Sequence, residues 1–566
     1  MLIFKFKVFK YDWILVAANT TTKQFDMIVN NQQALVDYVY NNKTIWIGYN
    51  STNYDQWILS GIMKGLNPYD VSEKLNNHIS GWKQGLKPRI ITYDAKVDKS
   101  KSLQQLQGCM GIAINDFKIQ SDINRRLTQI EITEAIEYTT INIKSIMKIF
   151  SYGKSDFQAN YGLIKEFDNL NIWDLSKTQT QLAAKVLGAK KTYRDDEFDV
   201  QFPDTLDLNI YTEVFNFYKN VRNYKNYYEI NIFGVLHKFA FGGVHGAIKK
   251  YIDKGEYIMS DIASMYPAYA IEYDSLSRNV KSKYQYKEIR DNRIVLKKNK
   301  NPKQLSLKLV LNKTYGGTKD KYSKLYDPRQ ANNICVGGQL LILDLIEKVS
   351  PYCKIIQSNT DGILIKLHPG QRKNYINECN KWSKRTRLDL EHDDYIKVIQ
   401  KDVNNYIILS KKGTYKSKGA YVKQLNDLDN DLKIVNIAIK NYFINDIDPE
   451  ITIKKCNKLK DFQMICKCST KYDYIQYGNT KINEKVIRVF ATKDATAGVY
   501  RVKGTQLHKI NNTPTNCKIV NSNVNNKRVP RWLSRQWYID LAWSRINDFK
   551  GINNDDKQVS IWELNI

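Results

Sequence analysis

Two short stretches of this chain deliver an aspartate to the place where a strand ends. Glu256–Ser260 (EYIMS) reads as a strand with Asp261 at its end, and Cys353–Ser358 with Gly362–Leu367 reads as a hairpin with Asn359-Thr360-Asp361 at its tip. Asp261 and Asp361 stand a hundred positions apart, on strands that can be neighbours in one antiparallel sheet. Two carboxylates held side by side repel one another unless cations lie between them. Such a pair suits two divalent ions roughly 3.5–4 Å apart, which promote in-line phosphoryl displacement. The plainer reading of Asp261 alone is a helix N-cap. Lys308, Asn312 and Tyr315 follow at i, i+4 and i+7, so they share one helical face. That face suits an incoming nucleotide, with Lys308 against phosphate oxygens and Tyr315 near a base, or else it is an ordinary solvated face.

The elements that must position these residues are legible around them. Residues 278–303 hold ten basic side chains against Glu288 and Asp291, and read as a helix, a Lys-Asn-Lys-Asn-Pro turn and the start of the Lys308 helix. Residues 2–17 read as two strands joined at Lys10–Asp12, residues 44–48 as another, and residues 131–150 as a helix. Residues 171–190 read as a helix with Ser176 as its N-cap and Gly188 near its end, and residues 209–230 as a further helix. The acidic stretch 194–207 is the best boundary. Residues 405–423 carry five Lys and no acid, interleaved with Tyr, as either a phosphate-gripping hairpin or an edge strand guarded by Lys. Residues 534–549 read as a helix with Trp537, Tyr538, Leu541, Ala542 and Ile546 packed in a core.

Composition narrows the partners. A chain of 566 residues with 42% hydrophobic content can bury a large core over about three to five domains. Its 87 Lys+Arg against 58 Asp+Glu give a net charge of +29, which small acidic metabolites do not require and which nucleic acid rewards. An AT-rich coding sequence would enrich Lys, Asn, Ile and Tyr in the same direction. No apolar run of membrane-spanning length or signal peptide is evident, so a soluble, intracellular protein is expected. The eight Cys contain no CxxC pair, and Cys456, Cys466 and Cys468 form only a loose cluster, so neither a disulfide framework nor a zinc ribbon is expected.

Motif order supplies a resemblance. Asp261-Ile-Ala-Ser264-Met-Tyr266-Pro267 resembles the Asp-x-x-Ser-Leu-Tyr-Pro motif of family B DNA polymerases, with Met265 in place of Leu. Lys308-Leu-Val-Leu-Asn312-Lys-Thr-Tyr315-Gly316 resembles the Lys-x-x-x-Asn-Ser-x-Tyr-Gly motif, with Lys313 in place of Ser. Asn359-Thr360-Asp361-Gly362 resembles Asp-Thr-Asp, with Asn359 at the first acid. Phe241-Gly242-Gly243 resembles the Tyr-x-Gly-Gly region, with Ala240 at the Tyr, and residues 405–423 resemble the Lys-x-Tyr segment that grips a primer. The resemblance implies Asp261 and Asp361 as ligands of two Mg²⁺, with Mn²⁺ as a substitute, and Lys308 as a catalytic neighbour of the triphosphate. It implies Ser264, Tyr266, Lys297, Lys300, Asn312, Tyr315 and Gly316 at the nucleotide, with Tyr266 excluding a 2′-hydroxyl. Gly242, Gly243, Lys416 and Lys418 would hold DNA.

GYNSTNYD at 48–55, with Tyr138 and position 142, resembles the second and third motifs of the DEDD 3′–5′ exonuclease domain of that family. Lys5-Phe6-Lys7 stands where the first motif has Asp-x-Glu. Lys5, Lys7, Asp55 and Asn142 together carry +1 where the family's four acids carry −4, and such a site repels Mg²⁺. A Lys ammonium in the metal's place, paired with Asp55, is expected.

The expected fold is therefore α/β and α+β multidomain: an RNase H-like exonuclease domain (1–200, inactive), connector and first part of the palm (201–275), helical fingers (276–320), an antiparallel palm sheet (321–423), and thumb and C-terminal region (424–566). The expected activity is template-directed extension of a primer with dNTPs on primer–template DNA, in the cytoplasm of a host if the gene belongs to a phage or mobile element. The intervals of 47 residues from Asp261 to Lys308 and 53 from Lys308 to Asp361 argue against a protein primer. The alternative is a polymerase-derived DNA-binding factor with weak or no catalysis.

Overall fold

A computed structural model describes residues 1–552, except positions 80, 84, 97–99, 115–116 and 420. The first sheet has strands β1 (Leu2–Val8), β2 (Trp13–Asn19), β3 (Phe25–Val29), β4 (Ile45–Gly48) and β5 (Ile91–Asp94), in the order β3-β2-β1-β4-β5. β1 is antiparallel to β2 and parallel to β4. Because side chains alternate along β1, Leu2, Phe4, Phe6 and Val8 enter one core, while Ile3 and Phe9 enter the other. Lys5 and Lys7 share the face of Ile3, the side packed by the helix Gln129–Tyr152. That helix opens with a full capping box, in which Thr128 Oγ1 accepts from Glu131 N and Glu131 accepts from Thr128 N.

The second sheet has nine strands, all antiparallel: β6 (Tyr227–Ile232), β7 (Val235–Ala240), β8 (Gly243–Ala247), β9 (Tyr251–Ile262), β10 (Cys353–Ser358), β11 (Gly362–Leu367), β12 (Leu390–Asp402), β13 (Asn405–Leu409) and β14 (Tyr415–Lys418). Their order is β14-β13-β12-β9-β11-β10-β8-β7-β6. β9 therefore lies near the middle, with β11 on one side and β12 on the other. The helix Pro328–Val349 packs on this sheet and is buried around most of its circumference. At Gly338 an added Cβ would collide with Met265 Cε, and at Gly337 with the Tyr269 hydroxyl. The glycine pair thus lets the helix Met265–Glu272 lie directly against it. The helices Lys283–Lys298 and Gln304–Lys319 form the expected hairpin.

Three expectations differ from the structure. Residues 171–190 begin as a 3-10 turn (Ile172–Ser176) capped by Asn171, and the α-helix Gln179–Val186 is capped by Thr178; Ser176 donates to Trp173 O instead. Residues 209–230 are a short helix (Thr212–Lys219), a 3-10 turn and β6. The Tyr-Tyr-Glu-Ile-Asn-Ile run has strand periodicity and pairs with β7 through a two-residue turn at Phe233 and Gly234, both at positive φ. Finally, the cores do not divide at residue 200. Helices Lys154–Glu166 and Gln179–Val186 bury Leu163, Leu182 and Val186 with the second sheet and the 304–319 helix. Gly162 gives room for Ser306 of that helix.

The C-terminal region has two small antiparallel sheets and the helix Arg535–Lys550, where Tyr538, Leu541, Ala542 and Ile546 are buried as expected and Trp537 is only half-buried. Arg488 joins it to the first domain. Its guanidinium, fully buried, donates to the carbonyls of Gly108 (3.1 Å), Ile112 (2.7 Å), Val520 (3.3 Å) and Ser522 (2.6 Å) and to Gln463 Oε1 (2.9 Å).

Candidate active site

Asp261 is the penultimate residue of β9, opposite Gly362 on β11 and Glu391 on β12. A Cβ at position 362 would collide with Asp261 Oδ1, so the glycine is what allows the carboxylate to lean across β11. At the hairpin tip Ile262 N donates to Asp361 O at 2.7 Å, which ties Asp361 to the end of β9. Asn359 shapes the turn: its Oδ1 accepts from Asp361 N (3.1 Å) and Gly362 N (2.9 Å). An aspartate would accept the same two bonds, so Asn359 keeps the hairpin's geometry with one negative charge fewer. Gly243 abuts this tip, since a Cβ there would lie 2.9 Å from Thr360 Oγ1.

Burial, then the charge of Asp361, pushes the Asp261 carboxyl up to about 6; Glu391 and Asp393 push the same way and Lys416 opposes them. Lys416 reaches the site from β14 and pairs with Asp393 Oδ2 at 2.6 Å, beneath which lies the Tyr395 ring. Those partners outweigh the desolvation that would otherwise lower the ammonium. Lys418, two residues on, helps burial to lower His245 on β8. The glycine turn, the acidic tip and the Lys416–Lys418 strand therefore converge.

The other wall comes from helices. Ser264 takes a left-handed conformation (φ 53°) between β9 and the helix Met265–Glu272, and Arg293 donates to its Oγ at 3.2 Å. Tyr266 stacks on Tyr315 with ring centroids 3.9 Å apart and planes 12° from parallel. Lys308, Asn312 and Gly316 are exposed along the same side of the 304–319 helix. Lys297 pairs with Glu391 at 3.5 Å, close to Asp261 in register, whereas Lys300 sits at φ 51° in the turn between the two helices.

Among the described residues, no three His, Cys, Asp or Glu side chains cluster closely enough to hold a metal alone. Asp261 and Asp361 nevertheless fit Mg²⁺, which is commonly bound by one or two carboxylates together with substrate phosphates. Burial first, and the charge of Asp361 second, disfavour the ionised Asp261, and a divalent cation would favour it.

The second expected site is different. Asp55 is fully buried; its Oδ1 accepts from Phe6 N (2.9 Å) and Lys5 Nζ lies 3.1 Å from its Oδ2. The Lys7 ammonium lies over the rings of Phe117 (4.9 Å), Phe9 (5.5 Å) and Tyr138 (5.5 Å). Asn142 is buried and accepts from Gln107 Nε2 at 2.9 Å. An ammonium already bonded to the remaining carboxylate leaves a cation nothing to neutralise, so these residues do not fit a metal.

Sequence reasoning placed Gly362 in its motif without a role for it, and did not single out Arg293, Glu391, Gly337 or Gly338. The mid-helical Gly-Gly in an apolar run was the available signal for the last pair. Arg293 was one of ten basic residues in its segment, and only its burial distinguishes it. In the 405–423 segment, Ala420 lies outside the described residues.

No protein-family model matches this chain, and no curated protein matches it. Among solved structures, it is similar to the family B DNA polymerase of the hyperthermophilic archaeon Pyrobaculum calidifontis. The identity is 11% and the TM-score 0.44, over 99% of this chain and 78% of that one. No helix among the described residues is long and apolar enough to cross a membrane.

Proposed function

We propose that the chain is a template-directed DNA polymerase of the family B type that adds dNTPs to a primer 3′ end. The observation that carries this reading is the pair Asp261 and Asp361, joined through Ile262 N and given room by Gly362, beside the Tyr266–Tyr315 stack and the Lys308 face. Mg²⁺, when bound, supplies the Lewis acidity that activates a hydroxyl and neutralises a triphosphate. Asp261 and Asp361 would hold it. Lys308 and Asn312 face the triphosphate from the open side of their helix, with Lys297 as a further cation on the neighbouring one. Tyr266 lies under the sugar, fixed in place by Tyr315, and excludes a 2′-hydroxyl. Ser264, held by Arg293, and Gly316 complete the nucleotide face. Gly242, Gly243, Lys416 and Lys418 run along the DNA backbone, where glycine permits close approach and Lys supplies charge.

The first domain, on the same reading, is a DEDD-type exonuclease fold that has lost proofreading, because Lys5 satisfies Asp55 where the chemistry needs metal. Primer–template extension with dNTPs and Mg²⁺, native chain against Asp361→Asn, tests the main reading. Extension by the native chain and its loss in the variant are expected. If neither extends, the DNA-binding-factor alternative replaces the enzyme; if both extend equally, the metal assignment is wrong.

A further inference from the structure

The most exposed tyrosines of the described chain lie on two segments far apart in sequence, Tyr193 at 87% and Tyr322 at 84% exposure. Residues 189–195 follow the helix Gln179–Val186, and residues 319–326 run on from Lys319, the last residue of the helix that carries Lys308. Lys191 Nζ joins them by donating to Lys321 O and lies 5.2 Å over the Tyr326 ring. Asn279 staples them a second time: its carbonyl accepts from Lys190 N (2.9 Å), its Oδ1 from Arg194 (2.7 Å), and its Nδ2 donates to Tyr326 O (2.7 Å). The surface is therefore built, with its aromatic rings presented outward from a braced backbone.

Its charge is one-sided. Lys190, Lys191, Arg194, Lys319, Lys321 and Lys324 face only Asp195 and Asp320 in these two segments. Of the acids just beyond, Asp196 is taken by Arg278 (2.5 Å) and Arg329 (3.1 Å), Asp199 by Arg329 (3.0 Å) and Asp327 by Arg278 (2.7 Å), which leaves Glu197, near Tyr326, as a third acid against the six cations. Lys319 also lies 5.2 Å over the Tyr315 ring, so the patch runs directly into the Tyr266–Tyr315 stack.

Exposed aromatic faces among cations suit nucleic acid whose bases are unpaired, because a duplex hides the π faces that tyrosine can stack on. We propose that this surface binds single-stranded DNA and guides the unpaired template into the site. The guiding role rests on the polymerase reading; the binding of single strands does not.

Fluorescence anisotropy of the full chain with a labelled oligo(dT) of about 20 nucleotides, and with a blunt duplex of the same length, separates the two. Tyr193→Ala/Tyr322→Ala is expected to weaken single-strand binding about tenfold or more while leaving duplex binding unchanged. Lys190→Ala and Lys324→Ala are each expected to lower the slope of log affinity against log salt by about 0.7. Tyr40→Ala, on the first domain, should change neither. In extension assays the double tyrosine variant should match the native chain on a template overhang of one or two nucleotides and fall behind on a long one. Unchanged single-strand affinity, or an equal loss on duplex, overturns the proposal. If the native chain extends no primer, the guiding role falls with the polymerase reading, and the anisotropy alone decides whether the patch holds DNA.

Discussion

Tyr266 and Tyr315 lie face to face, their centroids 3.9 Å apart, and so couple the helix that follows β9 to the helix that carries Lys308. Burial, more than any neighbour, raises both phenols above their ordinary range, so they remain neutral at working pH and act by packing. An aromatic pair of this kind contributes about 0.5–1.5 kcal/mol beyond its buried area. Tyr266→Phe keeps the stack and should leave dNTP incorporation within about twofold. On the proposed reading Tyr266→Ala removes the wall beneath the sugar, and it should lower the preference for dNTP over rNTP by about 10- to 100-fold. The ratio of kcat/KM values for the two nucleotides measures it.

Asp261 gives a pH dependence with a definite sign. Its carboxyl is raised from 3.8 to about 6 in the folded protein, so the neutral form is favoured there. The stabilisation this brings is complete below pH 3.8 and is lost as pH rises through 6, about 3 kcal/mol in all. Above pH 6 the charged pair is ready for Mg²⁺; below it, protons compete. The apparent Mg²⁺ affinity in extension assays should therefore fall about tenfold per pH unit below 6. Asp261→Asn should abolish extension yet raise the thermal midpoint of the metal-free chain at pH 7.5. A lower midpoint would contradict the account of the pair.

Much of this site was legible because its parts are short and local. A strand ending in Asp261, a hairpin carrying Asp361 and a helix face carrying Lys308 each announce themselves within ten residues. Their meeting depends on register, and register is long-range: only the pairing of Gly362 with Asp261 shows why that glycine is needed. Helix 328–349 was missed because several of its buried residues are polar, Asn333, Gln339 and Asp344 among them, and read in sequence as solvent-facing. The segment 209–230 misled because a helical period over 212–219 gives way to a strand period at Tyr227 within a few residues.

The Lys5–Asp55 pair makes a prediction about charge. Asp55 is fully buried, and removing its ammonium partner leaves a carboxylate with only Phe6 N to bond. Lys5→Met should cost about 3 kcal/mol, measured by urea unfolding. Restoring four acids with Lys5→Asp, Lys7→Glu and Asn142→Asp turns a site that repels divalent ions into one that attracts them. The native chain should leave a 3′-mismatched primer intact in Mg²⁺ or Mn²⁺, and the triple variant should trim it. Trimming by the native chain would sink the reading of this domain.

His237 sets the response to mild acid. It lies on β7 with no exposed surface, its ring over Gly246 of β8, where any Cβ would collide with it. Nδ1 is 2.8 Å from Val235 O, and burial holds the imidazole down at about 4. The folded chain therefore refuses a proton that the unfolded chain accepts near pH 6.5. The contribution of His237 is full above 6.5, declines as pH falls, and levels off below 4, a loss of about 3 kcal/mol. The salt-bridged carboxylates of Asp196 and Asp427, both held down at about 2, act in a lower window, below 3.8. Asp261 gains stability over the same window and offsets much of this loss, so the variant is the test: His237→Gln should raise the urea midpoint at pH 5 relative to that at pH 7.5. If the variant keeps the full slope between pH 6.5 and 4, another group carries the titration.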